Sequence, residues 1–245
     1  MLNRINIMNV PIDVVTMDEA VSKLMSFLKT EQCHAVFTPN PEIIMEAQDN
    51  KELMKALNNA SLVVPDGIGV VLASRILKGP SLPERVAGYD LVQNLFKSAA
   101  KTDYTFYFLG GEVGIADKAA KKMEEKYKGL KIVGRQHGYF KDEKEIIKKI
   151  QAVKPDVLLV GLGAPKQEIL IDKYKDILPA KLCIGVGGSF DVMAGKVKRA
   201  PVIFQKLALE WFYRLISQPT RIKRMIRLPI FLWNILRISV NNKKK

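Results

Sequence analysis

Short apolar runs alternate with longer amphipathic segments along most of the chain. Residues 34–37, 62–64, 104–109 and 157–160 are almost entirely apolar or aromatic, as expected of strands buried on both faces of a sheet. Between these runs, apolar residues recur at helical spacing, and Gly, Pro, Asn or Asp mark the turns. Strands that alternate with helices predict an α/β fold with a mostly parallel sheet and helices on both faces.

Capping residues predict where several elements begin. A strand over residues 5–15 precedes a helix over residues 17–29, for which Thr16 is the predicted N-cap. Asn40 is the predicted N-cap of a helix that starts with proline and covers residues 41–59.

The later elements follow the same pattern. Asp90 is predicted to cap a helix over residues 91–100, and Asp142 is predicted to cap a helix over residues 143–153. The Gly-rich turn GLGAPKQE leads into a helix over residues 165–177. These βα units show no internal repeat.

Length and composition indicate a globular protein. A chain of 245 residues with 48% hydrophobic residues is long enough to bury a sizeable core. Cys33 and Cys183 lie in separate apolar runs, which favours buried thiols of a reducing compartment over a disulfide framework. The N-terminus has neither the apolar core nor the small-residue cleavage site of a signal peptide, so we expect a cytosolic protein.

The net charge of +14 is concentrated at the C-terminal end. Residues 199–245 carry eleven Lys or Arg against the single acid Glu210, whereas the preceding 198 residues carry a net charge of only +4. A bulky apolar helix is predicted over residues 201–217, followed by a basic segment. The apolar stretch over residues 230–240 is too short to span a bilayer, which needs roughly 20 residues, so a helix in the membrane plane or docked on the core fits better.

The basic tail has several interpretations. On a continuous helix, Arg214, Arg221 and Arg224 would lie within about 80° of one another, although Pro219 interrupts that helix. Arginines mixed with aliphatic surface fit an anionic membrane and a phosphate-bearing lipid better than nucleic acid. Terminal helices packed on the core are the simplest alternative, and exposed apolar surface also fits a homo-oligomer.

The stretch LVVPDGIGVVL, residues 62–72, places Asp66 where a strand ends and a helix begins. Ligands of open α/β sheets bind at this carboxyl edge. A carboxylate here serves either as a helix N-cap or as a general base, and composition alone favours the cap.

Two further motifs place polar side chains at strand ends. Thr38 and Asn40 lie between prolines in TPNPE, a stiff turn that suits hydroxyl recognition as well as helix capping. Gln167 lies in GLGAPKQE, where glycines and a helix N-terminus either receive a phosphate or simply make a tight turn. Lys166 stands where the last glycine of a dinucleotide-binding motif belongs, so that motif is absent.

Arg85, in PERVAGYD, pairs either with a ligand phosphate or carboxylate or with its neighbours Glu84 and Asp90.

The sequence contains no D-x-D, H-x-x-x-H or C-x-x-C motif and only two histidines, so no catalytic metal, zinc site or other cofactor is indicated. G-x-S-x-G and Walker A motifs are also absent, which argues against hydrolase and kinase chemistry.

Taken together and in order, these motifs resemble the WecG/TagA/CpsF glycosyltransferases, glycosyltransferase family 26. The resemblance covers nearly the whole chain through TPNPE (38–42), PDGIGVV (65–71), RVAGYDL (85–91), FLGG (108–111), GLGAPKQE (161–168), GVGGSFDVMAGKVKRAP (185–201) and LEWFYRLISQPTRIKR (209–224). It implies a Rossmann-like core over residues 1–195 and a basic, amphipathic, membrane-associating helical appendage over residues 196–245.

The resemblance also implies an activity. It implies transfer of N-acetylmannosamine from UDP to the GlcNAc of a polyprenyl-diphosphate carrier, with inversion and without a metal, by a peripheral protein on the inner face of the cell membrane. Carried over by position, the implied general base is Asp66, the implied pocket residues are Thr38, Asn40, Arg85 and Gln167, and the implied appendage residues are Arg214, Arg221 and Arg224. The implied pathway is wall teichoic acid synthesis.

The sequence is also compatible with two alternatives. A member of the same family with another donor, such as UDP-N-acetylmannosaminuronate or UDP-glucose, has no distinguishing residue that we recognise. A non-enzymatic α/β module that binds nucleic acid through its basic tail is the alternative from another class, although we expect no nucleic-acid partner.

Overall fold

The computed structural model describes residues 3–77, 80–206, 209–217 and 226–241. Its strands are β1 (Arg4–Ile7), β2 (Val10–Asp13), β3 (His34–Phe37), β4 (Leu62–Val63), β5 (Thr105–Gly110), β6 (Lys131–Gln136), β7 (Val157–Gly161) and β8 (Leu182–Gly185). The helices of the described ranges are α1 (Met17–Phe27), α2 (Pro41–Asp49), α3 (Lys51–Asn58), α4 (Ile68–Ile76), α5 (Gly88–Ala99), α6 (Ile115–Lys126), α7 (Glu143–Val153), α8 (Lys166–Tyr174), α9 (Ser189–Met193), α10 (Val202–Lys206), α11 (Glu210–Ser217) and α12 (Arg227–Asn241).

Six parallel strands form the central sheet in the order β4-β3-β8-β7-β5-β6. Apolar residues of α1, α5, α6 and α9 pack on one face. Those of α2, α3, α4, α7, α8 and α12 pack on the other, together with the two N-terminal strands. The predicted α/β fold with a parallel sheet between two helical layers is therefore confirmed.

The N-terminal segment is a hairpin, so the prediction of one continuous strand is wrong. Met8 and Asn9 have φ of 52° and 64°, which turns the chain back so that β1 and β2 pair antiparallel in a separate two-stranded sheet. Asp13 ties this hairpin to the core, because its buried carboxylate accepts hydrogen bonds from Arg4 Nε at 2.7 Å and from the Val63 N–H at 2.8 Å.

Capping explains two further boundaries. Thr16 forms the predicted cap of α1, with a reciprocal pair of hydrogen bonds to Glu19. The predicted helix over residues 41–59 is instead two helices, because Asn50 takes an extended backbone conformation and its side chain accepts from the Leu53 N–H at 3.0 Å. A second N-cap thus begins α3 in the middle of an amphipathic pattern.

The C-terminal part also differs from its prediction. Of the predicted helix over residues 201–217, the described parts form α10 and α11, and Leu209 before α11 is not helical. α12 covers the second predicted apolar stretch, and its Phe231 and Ile235 are fully buried against the α2 and α4 layer. None of the helices in the described ranges combines the length and the apolar character needed to cross a bilayer.

The two cysteines meet across the amino end of the sheet. Cys33 Sγ and Cys183 Sγ are 3.4 Å apart, and both are free thiols. Cys183 is buried as predicted, whereas Cys33 is only half-buried.

Candidate active site

The predicted pocket residues nearest the N-terminus converge at the carboxyl edge of the sheet. Thr38 and Asn40 directly follow β3, and Asp66 follows the neighbouring strand β4. The Asp66 N–H donates to the Pro39 carbonyl at 3.3 Å, so the two loops are joined by a backbone hydrogen bond. Carboxyl ends of adjacent parallel strands are the usual ligand-binding edge of such sheets.

Asp66 caps a different helix from the one that follows it in sequence. α4 has Gly67 as its N-cap, with φ of 94° and no side-chain cap. The Asp66 carboxylate instead accepts a hydrogen bond at 3.3 Å from the N–H of Gly88, the first residue of α5. The positive end of the α5 dipole therefore faces the half-buried carboxylate.

Gly88 is the point where Thr38 and Asp66 meet. A Cβ atom at Gly88 would lie 2.7 Å from Thr38 Oγ1, so α5 begins in direct contact with the Thr38 side chain. Because Asp66 supplies the cap from another loop, helix α5 starts at Gly88 and the prediction that Asp90 caps it is wrong. Asp90 lies inside the first turn and pairs with Arg199.

Asn40 has the predicted capping role. Its Oδ1 accepts from the Ile43 N–H at 3.0 Å, and Pro41 is the first residue of α2. The amide oxygen is thus engaged by the helix at the same edge that holds Asp66. The contact of Asn40 with substrate stays a prediction.

Arg85 pairs with neither of the neighbours that the sequence suggested. Its Nη1 lies 2.5 Å from Oε2 of Glu210, the first residue of α11. Glu84 accepts a hydrogen bond from the Met17 N–H at 2.6 Å instead. Arg85 stays close to Asp66, because the next residue, Val86, donates its N–H to the Pro65 carbonyl at 2.9 Å. The pair with Glu210 was not predicted, because the two residues are 125 positions apart in the chain.

Gln167 is engaged within the protein. Its side chain is buried, with Oε1 accepting from the Gly187 N–H at 2.9 Å and Nε2 donating to Glu168 Oε1 at 2.8 Å. Gly187 lies in the loop after β8, the strand next to β3. Gln167 therefore holds a loop at the carboxyl edge, and the structure also makes Pro165 the N-cap of α8 instead of its first residue.

Glu168 is a notable residue that the sequence did not single out. It is only 2% exposed, and its Oε2 atom has no hydrogen-bond partner within the described part of the chain. The pKa of Glu168 is raised from 4.5 to about 7, chiefly by burial; hydrogen bonds from Gln167 and the Glu168 N–H lower it in part, and the charge of Glu46 adds a smaller increase. An acid in the first turn of a helix is ordinarily solvated. The burial of Glu168 therefore cannot be predicted from its sequence position and is seen only in the packing of the folded protein.

We predict that Glu168 makes stability depend on pH. Because its pKa is raised on folding, its contribution is complete below the ordinary pKa of 4.5 and is lost as the pH rises through about 7. We expect Glu168→Gln to remove a change of about 2–3 kcal/mol in the free energy of unfolding between about pH 5 and pH 8. Urea unfolding of both proteins across this range measures the difference.

Glu145→Gln is the matched control, because Glu145 is exposed on α7 and pairs with Lys149. Its difference from wild type should stay within about 0.5 kcal/mol at every pH. A pH profile of Glu168→Gln that runs parallel to that of wild type would show that Glu168 is ionised in the folded protein at all these pH values.

The arginines predicted in the tail are only partly described. Arg214 belongs to α11, and nothing further is described of its side chain, whereas Arg221 and Arg224 lie outside the described residues. In the portion of the chain that is described, no three His, Cys, Asp or Glu side chains form a group able to hold a metal ion.

Comparison with known proteins gives a consistent result over the full length. The profile of the glycosyl transferase WecG/TagA/CpsF family matches residues 5–245. A Bacillus spizizenii protein is 38% identical over 225 residues, covering 90% of this chain and 87% of that protein. A Bacillus subtilis protein is 36% identical (91% and 90% covered), and a Staphylococcus aureus protein is 35% identical (98% and 95% covered). All three are named N-acetylglucosaminyldiphosphoundecaprenol N-acetyl-beta-D-mannosaminyltransferase. The chain belongs to the WecG/TagA/CpsF glycosyltransferase family.

Proposed function

We propose that the protein transfers N-acetylmannosamine from UDP-N-acetylmannosamine to the GlcNAc of undecaprenyl-diphosphate-GlcNAc, with inversion, in the linkage unit of wall teichoic acid. The observation that carries this proposal is the similarity to transferases named for this reaction, which covers at least 90% of the chain at 35–38% identity. The position of Asp66 at the carboxyl edge of the sheet supports the same reaction class.

In the proposed mechanism, Asp66 acts as the general base. Its carboxylate takes the proton from the acceptor hydroxyl as that oxygen forms a bond to the anomeric carbon, while the bond from this carbon to the UDP oxygen breaks. The Gly88 N–H fixes one carboxylate oxygen. Thr38 and Asn40 line the pocket at the adjacent strand end, and Gln167 supports it through the loop that it holds at Gly187.

The departing UDP gains negative charge as its bond to the sugar breaks. Positive groups of the protein are needed to stabilise this charge. The backbone next to Arg85 is hydrogen-bonded to the loop of Asp66, from the Val86 N–H to the Pro65 carbonyl, and the N-terminal end of α5 faces the Asp66 carboxylate. We further propose that Arg214, Arg221 and Arg224 contribute from the C-terminal segment. Guanidinium groups suit this role because they bind phosphate oxygens in a bidentate geometry.

We also propose peripheral attachment to the cytoplasmic face of the membrane through an appendage over residues 196–245, with the catalytic core over residues 1–195. The outer face of α12 supports this attachment. Ile230, Trp233 and Val240 are exposed there, and a helical rotation of about 100° per residue places the three side chains in one stripe. Arg237 lies in the same stripe and suits an anionic lipid surface. The alternative is that a second copy of the chain binds this stripe instead of a membrane. Light scattering, which measures the oligomeric state in solution, separates these two cases.

A donor screen tests the proposed reaction. Purified protein is incubated with a soluble GlcNAc-diphospho-lipid analogue and, separately, with UDP-N-acetylmannosamine, UDP-N-acetylmannosaminuronate, UDP-glucose and UDP-N-acetylglucosamine. We expect mass spectrometry to detect one added N-acetylhexosamine with the first donor and far less product with the others. Efficient transfer from another donor would overturn the proposed substrate while keeping the reaction class.

A further inference from the structure

One carboxylate, that of Glu210, bridges two arginines near the start of α5. Glu210 Oε2 lies 2.5 Å from Arg85 Nη1, and Glu210 Oε1 lies 3.4 Å from Arg199 Nε. We call these three residues the Arg85–Glu210–Arg199 triad. All three side chains are largely shielded from water, with 15% of the Glu210 side chain and 18% of the Arg85 side chain exposed.

The two arginines depend on Glu210 to different degrees. Arg199 is also held by Asp90, through hydrogen bonds of 2.7 Å and 2.6 Å to its two carboxylate oxygens, and it lies 4.8 Å from the centre of the Tyr89 ring. Removal of Glu210 therefore leaves Arg199 in place on the first turn of α5. Arg85 would lose its short ion pair with Glu210 and present its guanidinium beside Arg199.

The position of the triad matches the chemistry of a diphosphate. Arg85 is two residues from Ala87, the N-cap of α5, and that helix begins at the Gly88 N–H that binds Asp66. Two guanidinium groups that converge on one carboxylate are a suitable receptor for a doubly charged phosphate group. Glu210 presents to them the oxygens that such a ligand would otherwise provide.

We propose that Arg85 and Arg199 form a diphosphate-binding site that Glu210 occupies in the ligand-free protein. A substrate diphosphate then displaces the Glu210 carboxylate and releases the start of α11 from α5. The identity of the substrate rests on the proposed function, because both UDP and a polyprenyl diphosphate carry this group. The competition itself concerns only the three side chains of the triad.

Isothermal titration with inorganic pyrophosphate tests the competition directly. We expect Glu210→Gln to bind pyrophosphate about fivefold or more tightly than wild type, because a competing ion pair of about 1 kcal/mol has been removed. Replacing Arg85 by Gln in the same protein should abolish this gain. Glu112→Gln, which removes an exposed partner of Lys196, is the matched control and should bind as wild type does.

Hydrogen exchange of the wild-type protein gives an independent measurement. Saturating pyrophosphate should accelerate exchange of the α11 amides if Glu210 is displaced. Unchanged or weaker pyrophosphate binding by folded Glu210→Gln, or unchanged α11 exchange in pyrophosphate-bound wild type, would overturn the proposal and make the triad a purely structural contact.

Two further ligands identify the source of the diphosphate. A gain in affinity of Glu210→Gln for UDP supports a donor site, whereas a gain for farnesyl diphosphate supports an acceptor site. Tighter pyrophosphate binding without sugar transfer from any donor would refute the proposed function but not this site. Transfer with no gain for any of the three ligands would refute only the site.

Discussion

Replacement of Asp66 by Asn is expected to reduce the rate of sugar transfer by about 10²–10⁴-fold, the usual contribution of a positioned general base. Asparagine has nearly the same shape, and its Oδ1 can still accept the Gly88 hydrogen bond that caps α5. The amide has no basic oxygen that can take a proton from the acceptor hydroxyl. We therefore expect a folded protein with normal thermal stability and very low turnover of the GlcNAc-diphospho-lipid analogue.

The matched control is Asp117→Asn, since Asp117 is exposed on α6 and pairs only loosely with Arg135 at 3.6 Å. This variant should retain the activity of wild type. Near-normal turnover by Asp66→Asn would refute the role of Asp66 as base. Loss of both turnover and folding would point to its capping of α5 instead, and circular dichroism with a melting curve separates these results.

The second large effect is expected at α12. Phe231 is fully buried where this helix packs on the α2 and α4 layer, so Phe231→Ala should cost about 3–5 kcal/mol, or as much of this as the docking of α12 provides. Urea unfolding measured by circular dichroism gives the global loss. Hydrogen exchange of the α12 amides shows whether the helix detaches before the core unfolds.

Trp233→Ala is the control on the same helix, because Trp233 is 69% exposed. Its free energy of unfolding should change by less than about 1 kcal/mol. Equal, small effects of the two substitutions would contradict the docking of α12 on the core. The same variant tests the proposed membrane attachment. Trp233→Ala should weaken binding to anionic vesicles without lowering the free energy of unfolding.

Local patterns were sufficient for the layers of the fold. Most central strands are apolar runs followed by a turn, and the caps at Thr16, Asn40 and Asp142 were predictable because each makes a hydrogen bond within three residues. The hairpin was missed because Met8-Asn9 interrupts an apolar segment without the Asn-Gly or Asp-Gly pair that usually marks such turns. The break at Asn50 was missed because the amphipathic pattern continues across it.

The candidate site was predictable only as far as its residues follow strands. Thr38, Asn40 and Asp66 share one edge because parallel strands bring their carboxyl ends together. The contact between Asp66 and Gly88 joins positions 22 residues apart, and the pair of Arg85 with Glu210 joins positions 125 residues apart. Patterns in a single sequence indicate contacts between residues that are close along the chain, and they do not indicate contacts over these separations. The cap of α5 and the triad were therefore found only in the three-dimensional structure.

The configuration of the glycosidic bond in the product made from UDP-N-acetylmannosamine and the lipid-linked GlcNAc analogue is a direct test of the proposed reaction. The one-bond carbon–proton coupling at the anomeric position distinguishes α- from β-mannosaminides by nuclear magnetic resonance. Direct displacement assisted by Asp66 predicts a β-linked N-acetylmannosamine, inverted relative to the α-linked donor, and the same product formed about 10²–10⁴-fold more slowly by Asp66→Asn. An α-linked product, or no transfer by the wild-type protein, would contradict the proposed reaction.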